Sequence, residues 1–145
     1  FRYRVGDGPV AEDLTATTFE KAWRKRRRYR RDLGAFSTWL FTIARNTAID
    51  YYRRRTPLVS LEKIVEPVDD TGNPEGLVQR RRDFERLSSL LGELPERERE
   101  LISMKYGAEL TNRKIAELTG LSETNVGTIL YRTVRRLRAA WEEDL

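Results

Sequence analysis

Residues 110–137 read LTNRKIAELTGLSETNVGTILYRTVRRL, and their local chemistry admits few folds. Thr111 is placed to cap a short helix carrying Ile115, Ala116 and Leu118. Gly120 supplies a left-handed turn and Leu121 plugs it. Ser122 caps a second helix with Val126, Leu130, Val134 and Leu137 on its inner face. Two short helices joined in this way form a helix-turn-helix, and the small Ala116 lets them cross closely. In that motif the second helix enters the major groove of duplex DNA with its N-terminal residues on base edges. Its outward positions are Glu123, Thr124, Asn125, Thr128, Tyr131, Arg132, Arg135 and Arg136. Asn pairs bidentately with adenine, Thr meets a thymine methyl or a base acceptor, and Arg reaches guanine or phosphate. Ser122 and Asn125 also suit purely capping roles, and a plain helical hairpin with a polar outer face is the alternative.

The helical period holds along the rest of the chain, and no segment reads as a strand. In AEDLTATTFEKAW the residues Ala11, Leu14, Phe19, Ala22 and Trp23 fall on one face, which predicts an amphipathic helix from about Val10 to Tyr29. Glu12 and Asp13 in its first turn suit the positive end of the helix dipole. Ser37 is placed to cap the next helix, with Phe36 and Phe41 as a hydrophobic staple. From there Trp39, Leu40, Ile43, Ala44, Thr47 and Tyr51 form a stripe as far as Arg55, before Pro57. Residues 56–76, with three prolines, two glycines and five acids, carry no sustained period and read as a linker. A helix over Leu77–Leu91 is expected to end at Gly92, and another follows Pro95 and leads to Gly107.

The expected fold is therefore all-α, with two small helical domains joined by a flexible linker. Domain boundaries are expected at residues 1–55, 56–76 (acidic linker) and 77–145. The chain opens at Phe1 without a methionine, so a fragment lacking an N-terminal portion is expected.

Several function classes fall away. The chain has no cysteine and no histidine, which removes disulfides, the usual zinc sites and mechanisms that need a thiolate or an imidazole. No metal site, cofactor or catalytic group is expected. Without histidine or a phosphate loop, Asp13 and Glu12 are better read as surface acids or a partner-binding edge than as a catalytic pair. No apolar stretch approaches the roughly 18 residues of a membrane span, so a soluble intracellular, cytoplasmic protein is expected.

The charge pattern suits a polyanion partner, with a solvated charged surface as the alternative. Residues 1–55 hold 14 basic and 6 acidic side chains, residues 56–100 hold 7 and 11, and residues 101–145 hold 7 and 6. The densest run is WRKRRRYRRD at 23–32. Beside it stand the rings of Tyr29, Phe36, Trp39, Phe41, Tyr51 and Tyr52. Cations that follow phosphates and rings that stack on exposed bases together suit single-stranded nucleic acid. Trp39 and Trp23 lie on apolar faces and read as core, whereas Tyr29, Tyr52 and Phe36 sit at helix ends and remain open.

AEDLTATTFEKAW, FSTWLFTIARNTAIDYYRRR, an acidic linker, LPERERELISMKY and a C-terminal helix-turn-helix, in that order, resemble bacterial RNA polymerase sigma factors of the extracytoplasmic-function (ECF, sigma-70 family) class. The resemblance covers nearly the whole chain outside the linker. It implies a transcription initiation factor that binds core RNA polymerase, recognises promoter minus-10 and minus-35 elements about two helical turns apart, and assists melting. By position, Asp13, Leu14, Phe19 and Trp23 match the helix that docks on the clamp helices of the polymerase's largest subunit. Residues 28–35, with Arg28, Tyr29, Arg30 and Arg31, and then Phe36, match the segment that captures a flipped-out minus-10 base. Arg45, Asn46, Ile49 and Arg53 match the helix along the melting junction. Ser122, Thr124, Asn125, Thr128, Tyr131, Arg132 and Arg135 match the helix that reads the minus-35 element, in a domain that rests on the polymerase flap.

An anti-sigma partner is implied by the resemblance alone. The chain departs from the family at Ala16-Thr17, where Gln-Glu is common, and at Gly127 and Ile129 of the reading helix. A helical glycine costs about 1 kcal/mol, and Gly127 is expected to let the helix approach the DNA backbone. The alternatives are a helix-turn-helix regulator that never engages polymerase, and an inactive sigma-like interaction module.

Overall fold

The computed structural model describes residues 1–55 and 73–143, and among these every regular element is helical. The elements are α1 (Arg2–Val5), α2 (Gly8–Arg24), α3 (Phe36–Arg54), α4 (Pro74–Glu93), α5 (Glu96–Ile102), α6 (Asn112–Thr119) and α7 (Glu123–Glu143). Most of the expected linker, residues 56–72, lies outside the described residues. Its end does not behave as linker: Pro74, Glu75 and Gly76 form the first turn of α4, where proline's fixed φ and missing donor are tolerated. At its other end α4 continues through Gly92 to Glu93.

The helix α2 is capped by Asp7, whose carboxylate accepts from the Val10 amide at 3.0 Å. It buries Ala11, Leu14, Thr18 and Ala22 against Ile43, Thr47 and Ala48 of α3. The two threonines enter this small core because their hydroxyls donate within their own helices. Thr18 bonds the Leu14 carbonyl at 2.7 Å and Thr47 the Ile43 carbonyl at 2.8 Å. Three expectations fail here. The helix stops at Arg24 and tightens into a 3₁₀ turn over Arg26–Arg28 instead of reaching Tyr29. The cap of α3 is Ala35, without a side-chain bond, so Ser37 lies inside the first turn. Phe19 and Trp23 are 58% and 68% exposed, because one residue of helix turns the side chain by about 100° from the buried Thr18–Ala22 stripe.

The C-terminal core gathers Leu91, Leu94, Leu101, Ile102, Met104, Ile115, Val126 and Leu130 from α4 to α7. After α5 the chain makes one π turn over Ser103–Gly107, closed by the Ala108 amide on the Ser103 carbonyl at 3.0 Å. Arg86 of α4 stacks its guanidinium 4.1 Å above the Trp141 ring and donates to the Trp141 carbonyl, which fastens the end of α7.

The two units are packed together, with α1 between them. Tyr3 sits edge-on to Phe84 at 6.3 Å and against the C-terminal core. A Cβ on Gly107 would stand 3.0 Å from its ring, tighter than ordinary contact, so a side chain there would have to displace the ring by a few tenths of an ångström. The Tyr52 hydroxyl donates to the Arg4 carbonyl at 2.6 Å. Burial raises the pKa of the neighbouring Tyr51 phenol above its ordinary value, against the opposing pull of Arg55.

Candidate nucleic-acid interfaces

Two surfaces carry the chemistry expected of nucleic-acid binding. The first is the outward face of α7. Local capping sets its position: the Thr111 hydroxyl accepts from the Lys114 amide at 3.1 Å, and Gly120 takes φ 76°. The Ser122 hydroxyl accepts from the Asn125 amide at 3.1 Å. Val126, Leu130 and Thr133 then face the core, with Val134 and Leu137 packed at its edge. Thr124, Asn125, Thr128, Tyr131, Arg132 and Arg135 are all exposed on the other side.

Asn125 keeps its side-chain amide for a partner, because its cap contact uses only the backbone N–H. Arg135 lies 5.7 Å over the Tyr131 ring, which presents a flat, cationic patch. Arg136, also read as outward, is paired with Glu98 of α5. Gly127 turns toward α6: a Cβ there would sit 3.5 Å from the Asn112 side-chain nitrogen, in ordinary contact. The expected close approach to a DNA backbone at that residue is therefore not what its position provides.

The second surface follows the end of α2. Arg24 pairs with Glu20, and Arg26 covers the Trp23 ring at 4.2 Å while donating to its carbonyl at 2.8 Å. Arg30 makes a two-pronged contact with Asp32 at 3.2 and 2.7 Å. Arg27, Arg28 and Arg31 are exposed. The chain then turns back so that Tyr29, Phe36 and Trp39 form one aromatic trio, with centroids 5.4–5.7 Å apart. The Tyr29 hydroxyl donates to the Gly34 carbonyl at 3.2 Å.

Trp39, read from sequence as core, is half-exposed in this trio. Beside it opens a cavity of about 190 Å³ lined by Arg28, Tyr29, Leu33, Thr38, Trp39 and Thr42, among others. That volume and lining suit one planar ring between aromatic and aliphatic walls, with cations at the mouth. Thr38 and Thr42 were not found by sequence reasoning, since they come from two successive turns of α3 that only the fold brings to this loop.

Along α3, Asn46 and Arg53 are exposed and Ile49 is half-buried, whereas the Arg45 Nε lies 2.6 Å from the Glu100 carboxylate of α5. On α2, Asp13, Phe19 and Trp23 are exposed. Leu14 is only 7% exposed and packs inward, so it holds the edge in place without presenting its own side chain. Among the described residues no group of three or more His, Cys, Asp or Glu side chains is arranged to hold a metal, and no helix is long and apolar enough to cross a membrane.

Comparison with known proteins follows the same two-part division. Residues 1–57 match the family model for sigma-70 region 2, and residues 84–137 match that for sigma-70 region 4. The chain is 30% identical over 142 residues to the ECF RNA polymerase sigma factor SigM of Bacillus subtilis, covering 96% of this chain and 84% of that one. It is 30% identical over 143 residues to the ECF RNA polymerase sigma factor SigL of Mycobacterium tuberculosis, covering 96% and 78%. Among solved structures, the sigma factor RpoE in complex with the anti-sigma factor NepR from Bartonella quintana shares the fold. Its TM-score is 0.76 at 22% identity, over 99% of this chain and 88% of that one. CnrH in complex with the cytosolic domain of CnrY gives 0.71 at 24%, over 99% and 77%.

Proposed function

The chain belongs to the sigma-70 family of RNA polymerase sigma factors, in its ECF class, and on that premise we propose which of its surfaces does which part of transcription initiation. It is an initiation factor that binds core RNA polymerase and promoter DNA. It is not itself a catalyst, and it works in the cytoplasm, where polymerase and promoter meet.

Division of labour follows the two units, residues 1–55 and the helices from Pro74 onward. The exposed face of α7 reads the minus-35 duplex through Thr124, Asn125, Thr128, Tyr131, Arg132 and Arg135, with Ser122 fixing the helix start. The loop after α2 receives an unpaired minus-10 base in the cavity beside Tyr29, Phe36 and Trp39. Arg28, Arg30 and Arg31 follow the strand's phosphates, and Arg45, Asn46, Ile49 and Arg53 line the junction where the duplex opens. Stacking on those rings offsets part of the cost of unpairing, at about 1–3 kcal/mol per base. The exposed edge of Asp13, Phe19 and Trp23 docks on the polymerase clamp helices, and the C-terminal unit rests on the flap. An inhibitory anti-sigma protein is the remaining partner, in keeping with the similar solved complex of RpoE with the anti-sigma factor NepR.

The observation that carries this reading is the base-sized, ring-lined cavity of about 190 Å³ at the end of the basic run, on the same chain as an exposed major-groove helix. Reconstitution with core polymerase tests it. The holoenzyme is expected to start transcription from a promoter containing both elements and to make minus-10 thymines reactive to permanganate. Binding to DNA without co-purification or promoter-dependent transcripts would sink the proposal.

A further inference from the structure

We propose that the chain carries a binding site apart from its nucleic-acid surfaces: a cavity beside α1 that takes a small phosphate monoester with a flat apolar body. None of the groups it uses has a part in the initiation reading above.

The cavity lies among α1, the turn into α2, the last turn of α3 and the facing sides of α4 and α5. Its volume is about 310 Å³, at the lower end of the range of small-molecule sites, about 300–1,000 Å³. Val5, Tyr52 and Phe84 supply apolar wall. The Arg2 guanidinium rests 4.8 Å from the centre of the Phe84 ring, so a cation and a flat ring stand side by side.

Charge decides what fits. Arg2, Arg55 and Arg99 all line the cavity, and among the described residues none of the three forms a salt bridge. The two acids on the same wall are engaged elsewhere. Asp7 accepts from the Val10 amide at 3.0 Å, and Glu85 lies 3.3 Å from the Arg81 Nε. The cavity therefore offers cations that lack an anion and acids that already have donors.

Two polar atoms point to the same ligand. The Ser88 Oγ and the Arg99 Nε are buried with no hydrogen-bond partner among the described residues, and both residues line the cavity. The rest of the Arg99 head is fixed. Its Nη2 donates to the carbonyls of Leu94 and Gly92 at 3.0 and 3.3 Å, and its Nη1 to the Tyr52 hydroxyl at 3.4 Å. Buried polar groups as a rule find partners, so two orphans beside one cavity ask for an added acceptor. A hydroxyl and three guanidinium groups together outnumber the two oxygens of a carboxylate. A phosphate monoester brings three acceptor oxygens and a charge of about −1.5 to −2, and guanidinium recognises it with paired N–H donors. A backbone phosphodiester has two free oxygens and continues as chain at both ends, which suits a recess of this size less well.

Calorimetric titration of the chain with phenyl phosphate, inorganic phosphate and benzoate tests the site. Phenyl phosphate is expected to bind once per chain, at least about tenfold tighter than either part alone. Arg2→Gln and Arg55→Gln are each expected to weaken it by about tenfold. A Cβ on Gly8 would collide with the end of the Arg2 side chain and with nothing else. Gly8→Ala therefore keeps every charge, moves Arg2 aside and should weaken binding as well. Ser88→Ala is expected to weaken it by about three- to tenfold while the ligand-free melting temperature holds or rises. A serine with a purely structural role would lower the melt and leave affinity alone.

No binding of phenyl phosphate at millimolar concentration overturns the proposal, and so does binding no tighter than that of inorganic phosphate or benzoate. Variants that all keep the parent's affinity place the ligand elsewhere and overturn it too. The same variants are to be titrated with single-stranded DNA of mixed sequence; an equal loss there would make the cavity part of the strand's path instead. Gly8→Ala and Ser88→Ala retain all the arginines, so they decide the matter where a glutamine variant folds poorly. Transcription with core polymerase reads the initiation role separately, so either conclusion can fail without the other.

Discussion

The ring of Tyr29, at the end of the basic run, lies 5.4 Å from the ring of Trp39 in the first turn of α3. The chain between them is folded back so that both border the same base-sized cavity. Tyr29→Ala removes a stacking wall and is expected to cost on the order of 1–3 kcal/mol in capture of an unpaired base. Tyr29→Phe keeps the wall and loses only the surface bond to the Gly34 carbonyl, a loss of about 1 kcal/mol or less. Permanganate reactivity of the minus-10 region in holoenzyme complexes orders the two variants, and equal loss in both would mean that the hydroxyl matters more than stacking.

On α7, Asn125→Ala and Thr128→Ala are expected to flatten discrimination at the minus-35 element by about 1–3 kcal/mol at the affected base pairs. Neither residue reaches into the core, so folding and polymerase binding should stand. A panel of promoters altered one base pair at a time gives the readout, and a preference profile identical to the parent's refutes these contacts.

The arginines of the basic run should differ among themselves. Each phosphate contact adds roughly 0.7–0.9 to the slope of log affinity against log salt. Arg28→Ala is expected to reduce the slope by about that amount. Arg30 must first leave Asp32, which holds it at 2.7 Å, so Arg30→Ala should reduce it less and Asp32→Asn should raise it. Binding titrations over a range of salt concentrations test the order, and three equal slopes would make the run a solvated surface.

Inside the C-terminal core the Thr133 hydroxyl is buried without a hydrogen-bond partner. An unsatisfied buried polar group costs about 1–3 kcal/mol. Thr133→Val, of nearly the same shape, is therefore expected to raise stability by about 1 kcal/mol in a urea or thermal melt, and a fall would mean that the hydroxyl is satisfied in solution.

How far the sequence could be read depended on whether the deciding forces were local. Thr111, Gly120 and Ser122 each act within three or four residues, so the helix-turn-helix and its outward face were legible before any packing was known. The early end of α2 was not. Arginine and lysine are good helix formers, and only the like charges stacked at i,i+4 together with the return of the chain toward Trp39 turn it aside. Phe19 and Trp23 misled for another reason: hydrophobicity marks a face as apolar without saying whether the chain itself will cover it. The ion pairs of Arg4 and Arg45 with Glu100 were invisible because the partners stand far apart in the chain, and no periodicity links them.

The clasp of Arg86 on Trp141 gives α7 the mechanics of a lever. Its 21 residues make a rod about 31 Å long, read at one end and bolted at the other. Val126, Leu130 and Thr133 seat its first half in the core, and the clasp guards the far end against a tilt of about ten degrees, which over that length displaces one end against the other by about 5 Å, more than the rise between neighbouring base pairs. The aim of the proposed reading helix is thus set in part by a tryptophan at its far end, away from the proposed reading face.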